Sequence, residues 1–197
     1  MILYNSASSG NCYKVRLLCA QLGLPLELRE LSVIDRSNRM EAIGHLNPAL
    51  RVPTLVLDDG RALAESNAII NYLAEGSEYL PTDRYDRAKV HQWQFFEQYE
   101  IEPNLAVARF WGIAGIDPGD EQRVLKTTAG NRALEALERG LRGRDWLVAD
   151  SYSVADISLY AYTHVAAEGG FTLEPYPAVR RWQAQVAEQP GHILITD

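Results

Sequence analysis

The chain has 197 residues, of which 47% are hydrophobic and 23% charged, with a formal net charge of −7. A chain of this size builds a core without disulfide or metal staples, and its composition excludes disorder and collagen-like repeats. The acidic balance, 26 Asp+Glu against 19 Lys+Arg, leaves no basic half to neutralise phosphates, so nucleic acid is not an expected partner. No stretch approaches the ~18 apolar residues of a membrane span. The start, Met-Ile-Leu-Tyr-Asn-Ser, does not read as a signal peptide. The only cysteines, Cys12 and Cys19, lie seven residues apart. On a helix that is ~10.5 Å of rise, too far for a disulfide. A reduced, cytoplasmic protein is the default expectation.

In chain order, Ile2-Leu3-Tyr4 reads as a short strand and Ser6 to Asn11 as a polar loop. Val15, Leu18, Cys19 and Leu22 recur at helical spacing until Gly23-Leu24-Pro25 stops the helix. Leu26 to Leu31 alternates apolar and charged residues, as a half-buried strand does. A short helix is expected around Arg39–Gly44. Thr54 to Leu57, the turn Asp58-Asp59-Gly60 and the return strand Arg61-Ala62-Leu63 form a hairpin. Ser66 to Glu75 reads as a helix with Ala68, Ile69, Tyr72 and Leu73 on its apolar face.

Residues 1–75 therefore read β-α-β-α-β-β-α, with the first two strands parallel through a crossover helix. A polar linker follows at 76–84, and 85–197 reads as all-helical. The helices expected there are Tyr85–Trp111, bent at Pro103; Glu121–Gly140; a central, largely apolar Ser153–Ala167; and Pro177–Glu188.

Four local features carry the candidate chemistry. Ser8-Ser9-Gly10-Asn11 stands where a strand turns into a helix. Free amides and the dipole there stabilise an anion such as a thiolate, and Ser9 or Asn11 can donate to it. Simple N-capping is the alternative. In Arg51-Val52-Pro53-Thr54 the proline suits either a cis bond in a tight turn or an ordinary strand start. The turn leaves the Val52 backbone available to an extended peptide. In Glu65-Ser66-Asn67-Ala68-Ile69, a carboxylate followed by a hydroxyl at a helix start suits an amino-acid backbone: ammonium on Glu65, carboxylate on Ser66. Capping is again the alternative. Ser153-Val154-Ala155-Asp156 reads as a capping box with a folding role.

In this order and spacing the four features resemble the cytosolic glutathione transferase family over about residues 1–190. The N-terminal motif is closest to bacterial serine-type members with nu, theta and delta character. The resemblance implies a thioredoxin-like α/β domain followed by an all-α domain, forming a homodimer. It implies catalytic roles for Ser9 and Asn11 at the glutathione sulfur. Arg39, Arg51, Val52, Pro53, Glu65 and Ser66 would bind the rest of glutathione, with Pro53 cis. Arg109 and Phe110, on the long helix, would belong to the site of a small apolar electrophile. Glutathione is then a co-substrate, no metal is needed, and the biological setting is detoxification.

Some residues depart from the family's pattern. Ala49-Leu50 stand where many relatives have glycine or a polar residue. Asn67 replaces the arginine of some theta-like and insect members. Tyr4 does not occupy the place of the catalytic phenol of tyrosine-type members, and Cys12 reads as buried, not catalytic. Three other activities stay open on the same residues: a nu-like glutathione-dependent disulfide or peroxide reductase, a non-catalytic binding protein of this fold, and an isomerase of a diketo acid.

Overall fold

The computed structural model describes residues 1–197 and divides into two units, Met1–Ser77 with Pro190–Asp197, and Glu78–Gln189. In the first unit the opening apolar residues form strand β1 (Ile2–Asn5), with Leu3 fully buried. Helix α1 (Gly10–Leu22) follows and ends at Gly23, whose φ of 64° lets its N–H turn back to the Ala20 carbonyl. The crossover returns the chain as β2 (Glu27–Glu30), parallel to β1. After the five-residue helix α2 (Arg39–Ile43), β3 (Thr54–Val56) and β4 (Ala62–Ala64) form the expected hairpin. Strand β3 runs antiparallel to β1, and the sheet order is β2-β1-β3-β4. Helix α3 (Ser66–Leu73) packs against α1.

Three expectations change here. Strand β2 is not half-buried: all four of its residues are exposed, because it is an edge strand bonded only to β1. On α3 the buried stripe is Ser66, Ile69 and Ile70, while Ala68 and Tyr72 face outward. The helix is rotated by about one position from the face its hydrophobicity suggested. The segment Pro190–Asp197 joins the first unit and not the helical part to which 85–197 was assigned. Hydrogen bonds explain why: the Tyr13 hydroxyl donates to the Ile193 carbonyl at 2.7 Å and Arg16 to that of Ile195 at 2.8 Å.

The second unit is helical: α4 (Arg84–Phe96), a π-helical segment Glu97–Ala106, α5 (Val107–Ala114), α6 (Asp120–Leu141), α7 (Val154–Thr163), a 3₁₀ turn Ala166–Gly169 and α8 (Pro177–Ala187). The bend expected at Pro103 takes the form of a wider π turn. Proline has no N–H for the ladder, and next to it the Asn104 side chain donates to the Glu100 carbonyl at 2.7 Å. Helix α7 is buried along its whole length and is the centre of this unit. Gly140 on α6 permits close approach, since a Cβ there would lie 2.4 Å from the Trp93 ring.

The capping box forms at the start of α7. Fully buried Asp156 accepts from the Ser153 N–H (2.9 Å), the Ser153 hydroxyl (3.1 Å), the Leu147 N–H (3.1 Å) and the Trp182 indole (2.8 Å). Burial pushes its carboxyl up to about 6 in spite of these donors.

Candidate functional site

Sheet register assembles the candidate residues of the first unit. Tyr4 pairs with Thr54, and Thr54 with Ala64. The chain leaving β1, the chain entering β3 and the chain leaving β4 therefore meet at one end of the sheet. They carry Ser6–Asn11, Arg51–Pro53 and Glu65–Ser66 respectively. Residues far apart in sequence become neighbours through strand pairing alone.

The first of these segments is held on several sides. Glu30 on β2 accepts the Ala7 N–H at 3.2 Å, and Arg16 donates to the Ala7 carbonyl at 3.0 Å. Ser9 is the N-cap of α1: its Oγ accepts from the Cys12 N–H at 3.3 Å. A hydroxyl that accepts there keeps its own proton for an acceptor on the other side. Cys12 lies inside, fully buried, and burial pushes its thiol up to about 11. It is not a poised nucleophile. Cys19 is buried likewise, and both cysteines are free.

The second segment is built on buried Asn47. Its Nδ2 donates to the Arg51 carbonyl and to Thr54 Oγ1, each at 3.0 Å, and its Oδ1 accepts from the Ala49 N–H at 2.9 Å. The Val52-Pro53 bond is cis. The sheet ladder begins at Thr54, so the Val52 backbone stands just outside it. The Arg51 side chain is exposed. Arg39 is almost fully buried and spends its guanidinium on the carbonyls of Ser32 (2.6 Å) and Leu50 (3.3 Å). The structure thus gives Arg39 a bracing contact two residues before Val52.

The third segment has unusual backbone. Glu65, exposed, holds a φ of 67°. A non-glycine residue there costs about 1–3 kcal/mol, a strain typical of functional loops. Ser66 opens α3 and is buried, with its hydroxyl 3.1 Å from Asn11 Oδ1. Lys14, fully buried, completes this junction: its Nζ lies 2.9 Å from Asn11 Oδ1 and 3.3 Å from Ser66 Oγ. Neither α1 nor α3 has an acidic residue in its first turn. Two helix N-termini and a buried ammonium thus favour an anion here.

Sequence reasoning missed Lys14, Asn47 and Arg16. Lys14 follows Asn11 by one helical turn, so the spacing was readable, but nothing in it says that the side chain turns inward. In the helical unit, Arg109 is buried and its Nε donates to Glu168 at 2.7 Å, while Phe110 is half-buried. A groove of about 580 Å³ on the same unit is lined by Glu135, Arg139, Arg142 and Tyr176 among others, and by none of the candidate residues. No helix is long and apolar enough to cross a membrane, and no cluster of His, Cys, Asp or Glu side chains forms a metal site.

Comparison with known proteins identifies the family. Residues 3–79 match the glutathione S-transferase N-terminal domain, and residues 104–190 the C-terminal domain. A crystal structure of a glutathione S-transferase from Pseudomonas fluorescens is 43% identical, covers 100% of this chain and 98% of that one, and superposes with a TM-score of 0.95. A glutathione S-transferase from Xanthobacter autotrophicus is 40% identical, with 98% and 96% coverage and a TM-score of 0.89. Glutathione S-transferase 2 of Anopheles gambiae is 31% identical over 194 residues, which is 95% of this chain and 91% of that protein. With both domain models matched in sequence and the relatives aligned nearly end to end, the chain belongs to the glutathione S-transferase family.

Proposed function

We propose that the protein is a glutathione transferase that holds glutathione at this end of the sheet and activates its sulfur as a thiolate for attack on small apolar electrophiles. The observation that carries the proposal is the convergence of Ser9, the Val52 backbone and Glu65-Ser66 through the register of three strands. Glutathione is an extended anionic tripeptide. Its cysteinyl backbone suits Val52, its γ-glutamyl ammonium suits Glu65, and its γ-glutamyl carboxylate suits the Ser66 amide at the start of α3. Exposed Arg51 suits the glycine carboxylate better than Arg39, whose guanidinium is engaged internally.

The chemistry asks little of the protein. A free thiol titrates near ~8.5 and is mostly protonated at neutral pH. Lowering that value by ~1.5 units corresponds to about 2 kcal/mol of stabilisation of the thiolate. The Ser9 hydroxyl, the Asn11 amide and the N-terminus of α1 supply this by donating toward sulfur. No protein atom becomes covalently bound, because the nucleophile is the substrate's own sulfur. The electrophile reacts by alignment with that thiolate. A homodimer, a cytoplasmic location and a role in detoxification accompany this reading.

The burial of Cys12 favours a second reading, in which two glutathiones reduce a disulfide. Both sulfurs then come from glutathione, and the products are oxidised glutathione and two thiols. Turnover of a small disulfide without conjugation of aryl halides would select it. The main reading is tested by Ser9→Ala. Turnover should fall by up to about tenfold, a share of the roughly 30-fold that ~1.5 units of thiolate stabilisation represents, with glutathione affinity changed far less. Unchanged turnover would remove Ser9 from the mechanism.

A further inference from the structure

The Ser6–Ser9 turn that leads into α1 is closed by one internal bond, from the Ser9 N–H to the Ser6 carbonyl at 2.9 Å. Such a turn leaves the polar groups of its second residue without partners of its own. That residue, Ala7, is exposed at the tip, yet both of its groups are held from outside the turn. Its N–H donates to Glu30 Oε2 at 3.2 Å, and its carbonyl accepts from Arg16 Nη2 at 3.0 Å. One arm of this clamp comes from β2 and the other from α1. Both arms are charged, and charge-assisted hydrogen bonds are the stronger kind.

Each arm is anchored in turn. Glu30 Oε1 accepts from the side-chain amide of buried Asn5. Arg16 is almost fully buried; its Nη2 also donates to the Ile195 carbonyl at 2.8 Å, and its Nη1 donates to the Asp197 carbonyl. The planar guanidinium fork lets one side chain hold carbonyls of two segments at once. The carbonyl that it holds in the turn belongs to the central Ala7–Ser8 peptide, the plane whose rotation separates one turn type from another. Ser9 is the next residue.

We propose that Glu30 and Arg16 are positioning residues for thiolate formation: they clamp the Ala7 peptide from two sides and so hold the Ser9 hydroxyl where it donates to the glutathione sulfur. This rests on the glutathione reading above. A donor that is already in place needs no reorganisation when the thiol proton leaves. A turn held only by its own bond lets the donor wander, and the thiolate loses part of its stabilisation. The segment Pro190–Asp197 belongs to the same device, because Arg16 Nη2 is shared between its Ile195 carbonyl and that of Ala7.

The test follows the ultraviolet thiolate signal of bound glutathione against pH. In unmutated protein the signal establishes first that glutathione binds with a lowered thiol pKa; its absence would remove the underlying reading as well as this one. The sign of the Glu30→Ala effect is diagnostic. Loss of a negative charge on its own favours a nearby thiolate and lowers the titration. Loss of the clamp raises it, by about half a unit, or about threefold less thiolate at fixed pH. Glu30→Gln keeps an acceptor oxygen and should titrate no higher than the unmutated protein. A thiol that is unshifted or lowered in Glu30→Ala overturns the proposal, and so does an equal rise in both Glu30 variants.

Arg16→Met should raise the bound thiol by a similar half unit. In a Ser9→Ala background the same change should add less than about 1.5-fold, because Arg16 acts through Ser9. An equal shift in both backgrounds would make Arg16 a direct charge on the sulfur and overturn its assignment. A lowered melting temperature with an unshifted thiol would overturn it too, by leaving Arg16 only a tie between α1 and the segment Pro190–Asp197. Where Arg16→Met does not fold, the two Glu30 variants decide, since Glu30 is exposed on an edge strand.

Discussion

Replacing Asp156 by alanine should unfold the helical unit far more easily, and the loss can be estimated from its bonds. The carboxylate accepts from four buried donors, and two of these, the Leu147 N–H and the Trp182 indole N–H, lie outside the capping box. Loss of the capping contact at Ser153 costs about 1 kcal/mol. Each buried donor left unpaired costs about 1–3 kcal/mol. Against this, the buried carboxylate carries its own desolvation cost, visible in a carboxyl raised to about 6. The net loss is on the order of 3 kcal/mol, a large share of the roughly 5–15 kcal/mol that holds a domain folded. Urea denaturation read by tryptophan fluorescence measures it, with Trp182, fully buried beside Asp156, as one reporter. A loss below about 1 kcal/mol would refute the claim that this box anchors the unit.

Two further outcomes follow from buried groups. Asp156 is raised from 3.8 to about 6 in the folded state, so the unfolded chain ionises first as pH rises. Its contribution to stability is complete below about pH 4 and is lost progressively up to about pH 6, by about 3 kcal/mol. Asp156→Asn should lack that decline, and parallel pH profiles in the two proteins would contradict it. Cys12, raised to about 11, should react with alkylating reagents on the order of 100-fold more slowly than a free thiol at neutral pH. Labelling at the rate of free cysteine would show the thiol to be accessible and ionised.

Local chemistry was largely legible in the sequence, and tertiary orientation was not. Periodicity located α1, α6 and α8, and the Asp-Asp-Gly turn located the β3–β4 hairpin, because those signals are set within a few residues. The exposure of β2 follows from which strand lies beside it, which no residue of Glu27–Glu30 encodes. The α3 face was misread by one position, since Tyr72 is apolar enough to suggest burial while Ser66 is buried for its hydrogen bonds. The segment Pro190–Asp197 docks by donating side chains at Tyr13 and Arg16, nearly the whole chain away.

In the candidate site, Ser9, Val52, Glu65 and Ser66 could be singled out as candidates because each stands at a strand or helix end, where the sequence marks the boundary. The internal contacts of Lys14, Asn47 and Arg39 were not legible because they depend on side chains turning inward to meet backbone or amide groups of other elements. Charged and polar residues default to the surface in any sequence reading. Here Asn47 and Arg39 are interior braces of loops, and Lys14 ties α1 to α3.

The most direct measurement titrates the purified protein with glutathione in a calorimeter and then follows the thiolate absorbance of the complex against pH. Binding in the micromolar to low-millimolar range, with a thiol that ionises at least one unit below its free value of ~8.5, is the predicted result. Absence of binding, or a bound thiol that ionises where the free one does, would contradict the proposal that this fold activates glutathione.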